Sequence, residues 1–249
     1  MMWPYPKILA HRGGGIIAPE NTLAAMRCGH ACGFAAVEFD VMLSKDGVPV
    51  LMHDEYFGRT IRAAGSVAET LAIDLCRMDA GTWFSATFTG EPVPLYADVV
   101  RFCRQHGIWM NVEIKPSKGA EVATGNIVAE LTKALFSDIA VTDILHLPLF
   151  SSFSFTALMA AKHAAPGIPR GLLMDCIGHD WKSQLQELDA RSLHANHQYL
   201  NPVLIRQVKD AGYGMLCYTV NTPERASEVL AWGGDALCTD RLDLISADF

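Results

Sequence analysis

The stretch AVEFDVMLSKDGVPVLMHD, residues 36–54, is the most informative part of this sequence. In its first half, apolar Val37 and Phe39 alternate with Glu38 and Asp40, so a β-strand here would point both carboxylates to the same side. One interpretation is a strand with one hydrated face. The other is a strand covered on both faces, whose acidic side chains line an interior site.

Short β-like runs alternate with amphipathic helical stretches along the chain. The runs lie at residues 7–11, 36–42, 110–115, 147–152, 170–174, 192–196, 214–220 and 236–240. The predicted helices lie at 22–32, 96–106, 120–136, 155–163, 180–189, 202–211 and 223–231, with Asn21 as the cap of the first. Strands that alternate with helices imply a parallel sheet. Eight such units in 249 residues predict an α/β fold of the (β/α)8 TIM barrel type.

One further run, residues 48–53, does not fit this alternation. It follows the second strand after only the turn at residues 44–47, which is too short for a parallel crossover, so we predict an antiparallel hairpin. Residues from about 55 to 95 have weak periodicity and are interpreted as a small insertion after the second strand. The whole chain, residues 1–249, is therefore predicted to be a single barrel domain.

Polar side chains at the carboxyl ends of barrel strands are informative, because this rim is where barrel enzymes carry their chemistry. His11 and Arg12 follow the first predicted strand, and Glu38 and Asp40 belong to the second. The third and sixth strands carry the polar sets Asn111, Glu113, Lys115 and Ser192, His194, Asn196. Each pattern taken singly also fits a half-hydrated strand. Their occurrence on neighbouring strands favours an interior site.

The acids Glu38, Asp40 and Glu113 would repel one another if they converged without a counter-charge. A hard divalent cation, Mg2+, Ca2+ or Mn2+, resolves this repulsion, because such ions take carboxylate oxygens as ligands. Arg12 and Lys115 add positive charge beside the acids, which is useful if the ligand is an anion such as a phosphate. Lys115 could equally form a structural salt bridge with Glu113.

His11 and His53 are the candidate acid and base, because histidine titrates near neutral pH. The predicted hairpin would bring His53 back beside residues 38–40. Two histidines that flank a carboxylate–metal–cation cluster fit an in-line displacement at phosphorus, one taking a proton from the nucleophile and the other giving one to the leaving alkoxide. Which histidine takes which role stays open. The histidines on helices or loops are assigned no role: His30, His106, His146, His163 and His179.

Composition excludes several classes of protein. The formal net charge of −7 argues against a general nucleic-acid binder. No run reaches the ~18 apolar residues of a membrane span, and the N-terminal residues show no apolar signal segment, so we expect a cytoplasmic protein without membrane insertion. The seven cysteines indicate free thiols in a reducing compartment. Cys28 and Cys32 could share a metal as helix neighbours, but packing is the favoured interpretation.

The ordered set of motifs resembles the glycerophosphodiester phosphodiesterase family. The matching pieces are HRG (11–13), APENT (18–22), VEFDV (37–41), SKDG (44–47), HD (53–54), VEIKP (112–116), SSF (151–153), YTVN (218–221) and CTD (238–240). The similarity covers essentially the whole chain. It looks closest to the short cytoplasmic bacterial form associated with sn-glycerol-3-phosphate uptake.

The resemblance implies a barrel of the PLC-like phosphodiesterase type with an insertion after the second strand, and one divalent metal ion on Glu38, Asp40 and Glu113. It further implies His11 and His53 as acid and base, Arg12 and Lys115 as phosphate ligands, and Phe153 and Tyr218 as substrate contacts. Relatives commonly have Trp at the position of Tyr218, so the resemblance predicts an aromatic wall that is built differently here. The implied reaction releases sn-glycerol 3-phosphate and an alcohol from deacylated phospholipids such as glycerophosphocholine or glycerophosphoethanolamine.

One detail of that reaction and two rival functions stay open at this point. The nucleophile is either a glycerol hydroxyl, which would form a cyclic phosphate, or water. The rival functions are a barrel aldolase with Lys115 as its Schiff base and a non-catalytic protein that binds metal and phosphate. The expected partner is a small-molecule phosphodiester, and the sequence indicates no oligomeric state.

Overall fold

The computed structural model describes residues 3–249. Met1 and Met2 lie outside the described residues. For these two residues, the structure therefore does not describe two of the predictions, the single domain over residues 1–249 and the N-terminal segment without a signal sequence.

Eight parallel strands close into a barrel. The nine strands found among residues 3–249 are β1 Ile8–Ala10, β2 Ala36–Leu43, β3 Pro49–Leu51, β4 Trp109–Ile114, β5 Leu149–Ser152, β6 Arg170–Met174, β7 Ser192–Asn196, β8 Gly214–Tyr218 and β9 Ala236–Thr239. The order runs β1-β9-β8-β7-β6-β5-β4-β2, and pairing of β1 with β2 closes the ring. Strand β3 pairs antiparallel with β2, as the hairpin prediction requires. The TIM-barrel prediction is confirmed.

Helices cover the outside of the barrel. They are α1 Leu23–Ala31, α2 Ala72–Leu75, α3 Tyr96–Gln105, α4 Glu121–Leu135, α5 Phe155–Ala164, α6 Trp181–Leu188, α7 Pro202–Asp210 and α8 Pro223–Ala231. All seven predicted helices form, and α2 is an additional short helix. The predicted cap of α1 is wrong by one residue, because the Oγ1 of Thr22 accepts the hydrogen bond from the Ala25 amide. Asn21 instead turns its amide toward Asp40.

Strand β2 is covered on both faces, since every residue from Ala36 to Met42 is buried. Its register with β4 places Glu38 opposite Asn111 and Asp40 opposite Glu113. The main apolar core lies between the strands and the helices around them. Phe39 of β2 and Tyr96 of α3, for example, pack against each other there. The interpretation of residues 36–42 as a half-hydrated strand is therefore wrong, and their acids face the barrel interior.

Aromatic side chains fill the barrel at the amino ends of its strands. Tyr5 stacks on Trp109 with ring centroids 4.3 Å apart, and Trp3 contacts both rings edge-on. This apolar end leaves the opposite rim, at the carboxyl ends of the strands, as the open end of the barrel.

Residues between β3 and α3 carry only α2 and two short 3-10 turns, Val67–Glu69 and Ala86–Phe88. A separate cluster of buried apolar side chains anchors this segment. Met42, Met52 and Ile61 are three of its members. No helix among residues 3–249 is long and apolar enough to cross a membrane.

Candidate active site

Glu38, Asp40 and Glu113 converge inside the open end of the barrel. One carboxylate oxygen from each lies within 4.8 Å of the other two. Burial and the charge of Asp40 raise the pKa of Glu38 to about 7, and the same two causes raise the pKa of Glu113. Burial also acts on Asp40, but Lys115 and Arg12 outweigh it and lower the pKa of Asp40. The cluster thus combines one firmly ionised acid with two that need a further cation to be fully ionised.

Two cationic side chains flank these acids. Lys115 Nζ lies 3.1 Å from Asp40 Oδ1 and 3.7 Å from Glu113 Oε1. Arg12 Nε lies 3.6 Å from Asp40 Oδ2, while its Nη1 donates to Glu20 Oε1 at 2.7 Å. Both side chains are partly exposed at the rim, so each can also contact a ligand that enters from solvent.

The loop after β1 is packed tightly onto the end of β9. Arg12 has a left-handed backbone, and its amide donates to Glu38 Oε2 at 3.1 Å. Gly15 lies so close to Asp240 that a Cβ would come within 2.1 Å of the Asp240 carbonyl oxygen. Only glycine allows this approach, which sets the path of the loop that carries His11.

His11 is held between two carboxylates. Its Nδ1 lies 2.5 Å from Asp240 Oδ1, and its Nε2 lies 3.7 Å from Glu38 Oε2. Burial alone would lower the pKa of His11, but the hydrogen bond with Asp240 and the charge of Glu38 outweigh it and raise that pKa. A histidine with its Nδ1 fixed by a carboxylate presents Nε2 toward the carboxylate cluster.

His53, in the loop after β3, is likewise held by a carboxylate. Its Nδ1 lies 2.6 Å from Asp54 Oδ1. Burial lowers the pKa of His53, and the charge of Asp40 counteracts this only in part. The hairpin formed by β2 and β3 places His53 next to the strand that carries Asp40, because the Met52 amide donates to the Asp40 carbonyl.

Phe153 and Tyr218 form an aromatic corner beside Glu113. Their ring centroids lie 6.0 Å apart with an interplanar angle of 87°, and Phe153 is 50% exposed. The Tyr218 hydroxyl donates to the Met174 carbonyl at 3.0 Å, with Asp175 Oδ1 at 3.3 Å. These two rings share a small cavity with His11, Glu38 and Glu113.

Only one of the three polar residues of β7 lies at the rim of the barrel. Ser192 and His194 are fully buried inside the barrel, where they bond to each other at 2.9 Å, so their placement at the rim is wrong. Burial lowers the pKa of His194 to about 3. Asn196 does lie at the carboxyl end, where it caps the turn His197–Tyr199.

The structure thus brings together the nine predicted site residues, which are His11, Arg12, Glu38, Asp40, His53, Glu113, Lys115, Phe153 and Tyr218. The sequence identified one pairing among them, that of Lys115 with Glu113, but not the carboxylates that hold His11, His53 and Arg12. Asp240 follows a barrel strand directly, so the rule that found Glu113 could have found it. Arg59, which binds Glu20 and Asp54, lies in the aperiodic insertion, where the sequence offers no such signal.

Comparisons with known proteins agree with this architecture. Residues 11–244 match the Glycerophosphoryl diester phosphodiesterase family. A glycerophosphodiester phosphodiesterase of Caldanaerobacter subterraneus is 32% identical over 234 residues, which cover 94% of this chain and 93% of that protein.

Two solved structures are similar over nearly the full chain. One is a phosphodiesterase of Oleispira antarctica in complex with the product sn-glycerol-3-phosphate, with 34% identity, a TM-score of 0.87 and coverage of 94% and 93% of the two chains. The other is a glycerophosphodiester phosphodiesterase of Agrobacterium tumefaciens, with 27% identity, a TM-score of 0.80 and coverage of 98% and 100%. The chain therefore belongs to the glycerophosphoryl diester phosphodiesterase family, a class of phosphoric diester hydrolases built on a TIM barrel.

Proposed function

We propose that this enzyme hydrolyses glycerophosphodiesters from deacylated phospholipids, such as glycerophosphocholine and glycerophosphoethanolamine. The products are sn-glycerol 3-phosphate and an alcohol. The observation that carries the proposal is the convergence of Glu38, Asp40 and Glu113 between His11 and His53, each histidine held by its own carboxylate. The sn-glycerol-3-phosphate complex of the Oleispira antarctica relative supports this choice of product.

The carboxylate cluster fits one divalent cation, Mg2+, Ca2+ or Mn2+. Three hard oxygen donors lie within reach of one ion, and the pKa values of Glu38 and Glu113 are raised by burial and by the charge of Asp40. When bound, the ion would neutralise these acids and polarise a phosphoryl oxygen as a Lewis acid.

Arg12 and Lys115 are proposed to bind the phosphate. Arg12 presents a guanidinium fork and Lys115 an ammonium, and together they offset the negative charge that a phosphodiester brings beside Asp40. The side-chain nitrogen of Lys115 is paired with Asp40 and Glu113 and is therefore not free to attack a carbonyl carbon, which argues against the Schiff-base alternative. Family membership argues against the non-catalytic alternative.

His53 is proposed as the base and His11 as the acid. A base must be neutral at working pH, which the lowered pKa of His53 favours. An acid must carry a proton, which the raised pKa of His11 favours. In this scheme His53 Nε2 takes the proton of the attacking hydroxyl, and His11 Nε2 gives one to the departing alkoxide.

Phe153 and Tyr218 are proposed to form the wall against which the glycerol or alcohol moiety lies. Their rings border the same cavity as His11 and Glu113.

We also propose a cytoplasmic location, which is supported by the free thiols, since such thiols persist in reducing compartments.

The test is an assay of sn-glycerol 3-phosphate released from glycerophosphocholine and glycerophosphoethanolamine, with EDTA and with added Mg2+, Ca2+ or Mn2+. We expect release that EDTA abolishes and at least one of these ions restores. No release with any of them would refute the proposal. Trapping of a 1,2-cyclic phosphate, or incorporation of oxygen-18 without one, identifies the nucleophile.

A further inference from the structure

Arg59 joins two separate loops at the rim of the active site. Its Nε donates to Asp54 Oδ2 at 2.6 Å, its Nη1 to Glu20 Oε2 at 2.6 Å and its Nη2 to Glu20 Oε1 at 2.7 Å. Glu20 lies between β1 and α1, whereas Asp54 follows β3. One planar guanidinium therefore fixes two carboxylates from two different loops, a geometry that a lysine ammonium cannot reproduce.

We propose that Arg59 is a positioning residue of the phosphodiesterase reaction, which acts through Asp54 on His53 and through Glu20 on Arg12. The inference rests on the roles proposed above for His53 and Arg12. It concerns a side chain of the insertion that need not touch the substrate itself.

The first arm of this arrangement orients His53. Asp54 uses one oxygen for Arg59 and the other for His53 Nδ1, at 2.6 Å each. An Asp54 carboxylate held on one side by Arg59 keeps the proton of neutral His53 on Nδ1 and leaves Nε2 as the acceptor. Without Arg59, the partly exposed Asp54 is free to rotate, and His53 can adopt either tautomer.

The second arm sets the position of Arg12. Glu20 Oε1 accepts from both Arg59 Nη2 and Arg12 Nη1, each at 2.7 Å. Because Arg59 occupies both oxygens of Glu20, Glu20 holds Arg12 through Nη1 alone, while Arg12 Nε faces Asp40. Removal of Arg59 would let Glu20 draw Arg12 into a two-point contact of its own and away from the phosphate.

Apolar packing also anchors the segment on which Arg59 lies. Its neighbours Thr60 and Ile61 are buried, and Ile61 belongs to the apolar cluster beneath the insertion. The Arg59 side chain is 45% exposed. We therefore expect variants at this position to fold, and a free guanidinium ion to be able to reach the gap from solvent.

The experiment compares wild-type enzyme with Arg59→Ala in the glycerophosphocholine assay. We expect kcat to fall about 10- to 100-fold, the range typical for removal of a group that orients a functional side chain, while KM changes less. Guanidinium chloride should restore part of kcat, and NaCl at equal ionic strength should not. The matched control is Arg62→Ala, an exposed arginine of the same segment without a hydrogen bond or ion pair among the described residues. Its kcat should equal that of wild type.

A second measurement does not depend on turnover. In 15N-histidine NMR spectra at alkaline pH, with the His53 signal assigned from a His53→Gln variant, wild type should show the Nδ1–H tautomer and Arg59→Ala a mixture. If wild type hydrolysed no glycerophosphodiester, the proposed function would fail while these spectra still tested the orientation of His53. An unchanged tautomer in Arg59→Ala overturns the positioning role whatever the activity, and a wild-type kcat in that variant overturns it whatever the spectrum.

Discussion

His11 Nδ1 and Asp240 Oδ1 lie 2.5 Å apart across the seam where the first and last strands of the barrel meet. The two residues are separated by almost the whole chain, and each directly follows its strand. Closure of the barrel therefore builds the pair that orients the proposed acid. The His11 amide also donates to the Thr239 carbonyl at 3.0 Å, so backbone pairing and side-chain pairing are continuous at this seam.

Replacement of Asp240 by Asn tests this pair. Its hydrogen bond is a main cause of the raised pKa of His11, so Asp240→Asn should lower that pKa. A raised pKa keeps an acid protonated to higher pH, and lowering it moves the loss of kcat on the alkaline side to lower pH. We expect this shift together with about a 10- to 100-fold lower kcat at pH 8. Asp243→Asn, which removes an exposed partner of Arg241, is the control and should leave the pH profile unchanged.

Replacement of Glu38 by Gln tests the cation site. The pKa of Glu38 lies at about 7, above the ordinary value of 4.5, so its ionised form destabilises the metal-free protein near neutral pH. Glu38→Gln in EDTA should raise the free energy of unfolding at pH 7 by up to about 3 kcal/mol, as measured with urea. Metal-dependent activity and the increase in Tm on adding Mg2+ or Mn2+ should both be lost.

The control for that variant is Glu130→Gln, which changes an exposed glutamate that pairs with Lys133. It should keep the metal-induced increase in Tm. A Glu38→Gln protein that is less stable than wild type in EDTA would show that Glu38 is structural.

His194 should make the fold sensitive to acid. Burial lowers its pKa from 6.5 to about 3 in the folded state. As pH falls below 6.5, the unfolded chain takes up a proton that the folded chain does not, so the free energy of unfolding decreases until the pH reaches the folded pKa. Between pH 7 and pH 5 this group should remove about 2 kcal/mol.

Urea unfolding of His194→Gln at both pH values measures this contribution as the difference from wild type. The exposed His163→Gln variant serves as the comparison and should follow the wild-type pH dependence. Equal pH dependence for wild type and His194→Gln would contradict a neutral buried imidazole.

The strands and the carboxylates on them were predictable because a covered strand must be apolar, which makes Glu38 and Glu113 conspicuous exceptions. The cap of α1 was missed because Asn21 satisfies the local cap pattern, yet its amide bonds to Asp40 nineteen residues away. Arg59 was missed for a similar reason. Its position depends on long-range packing of Ile61 beneath the insertion, and no periodicity in the sequence encodes such a contact.

The last prediction concerns the aromatic corner. Phe153 is half exposed and packs edge-on against Tyr218, so a bound glycerol or alcohol moiety would bury the remaining ring surface. Loss of that apolar contact is worth about 1–2 kcal/mol, so Phe153→Ala should raise KM for glycerophosphocholine about 5- to 30-fold and lower kcat less. If apolar area sets the affinity, KM of Phe153→Leu should lie close to that of wild type. If the substrate's cationic group needs an aromatic face, KM of Phe153→Leu should lie close to that of Phe153→Ala. Initial-rate kinetics with glycerophosphocholine and with glycerophosphoglycerol, whose alcohol moiety carries no cationic group, separate the two outcomes. An unchanged KM in Phe153→Ala for both substrates would exclude the ring from the binding site.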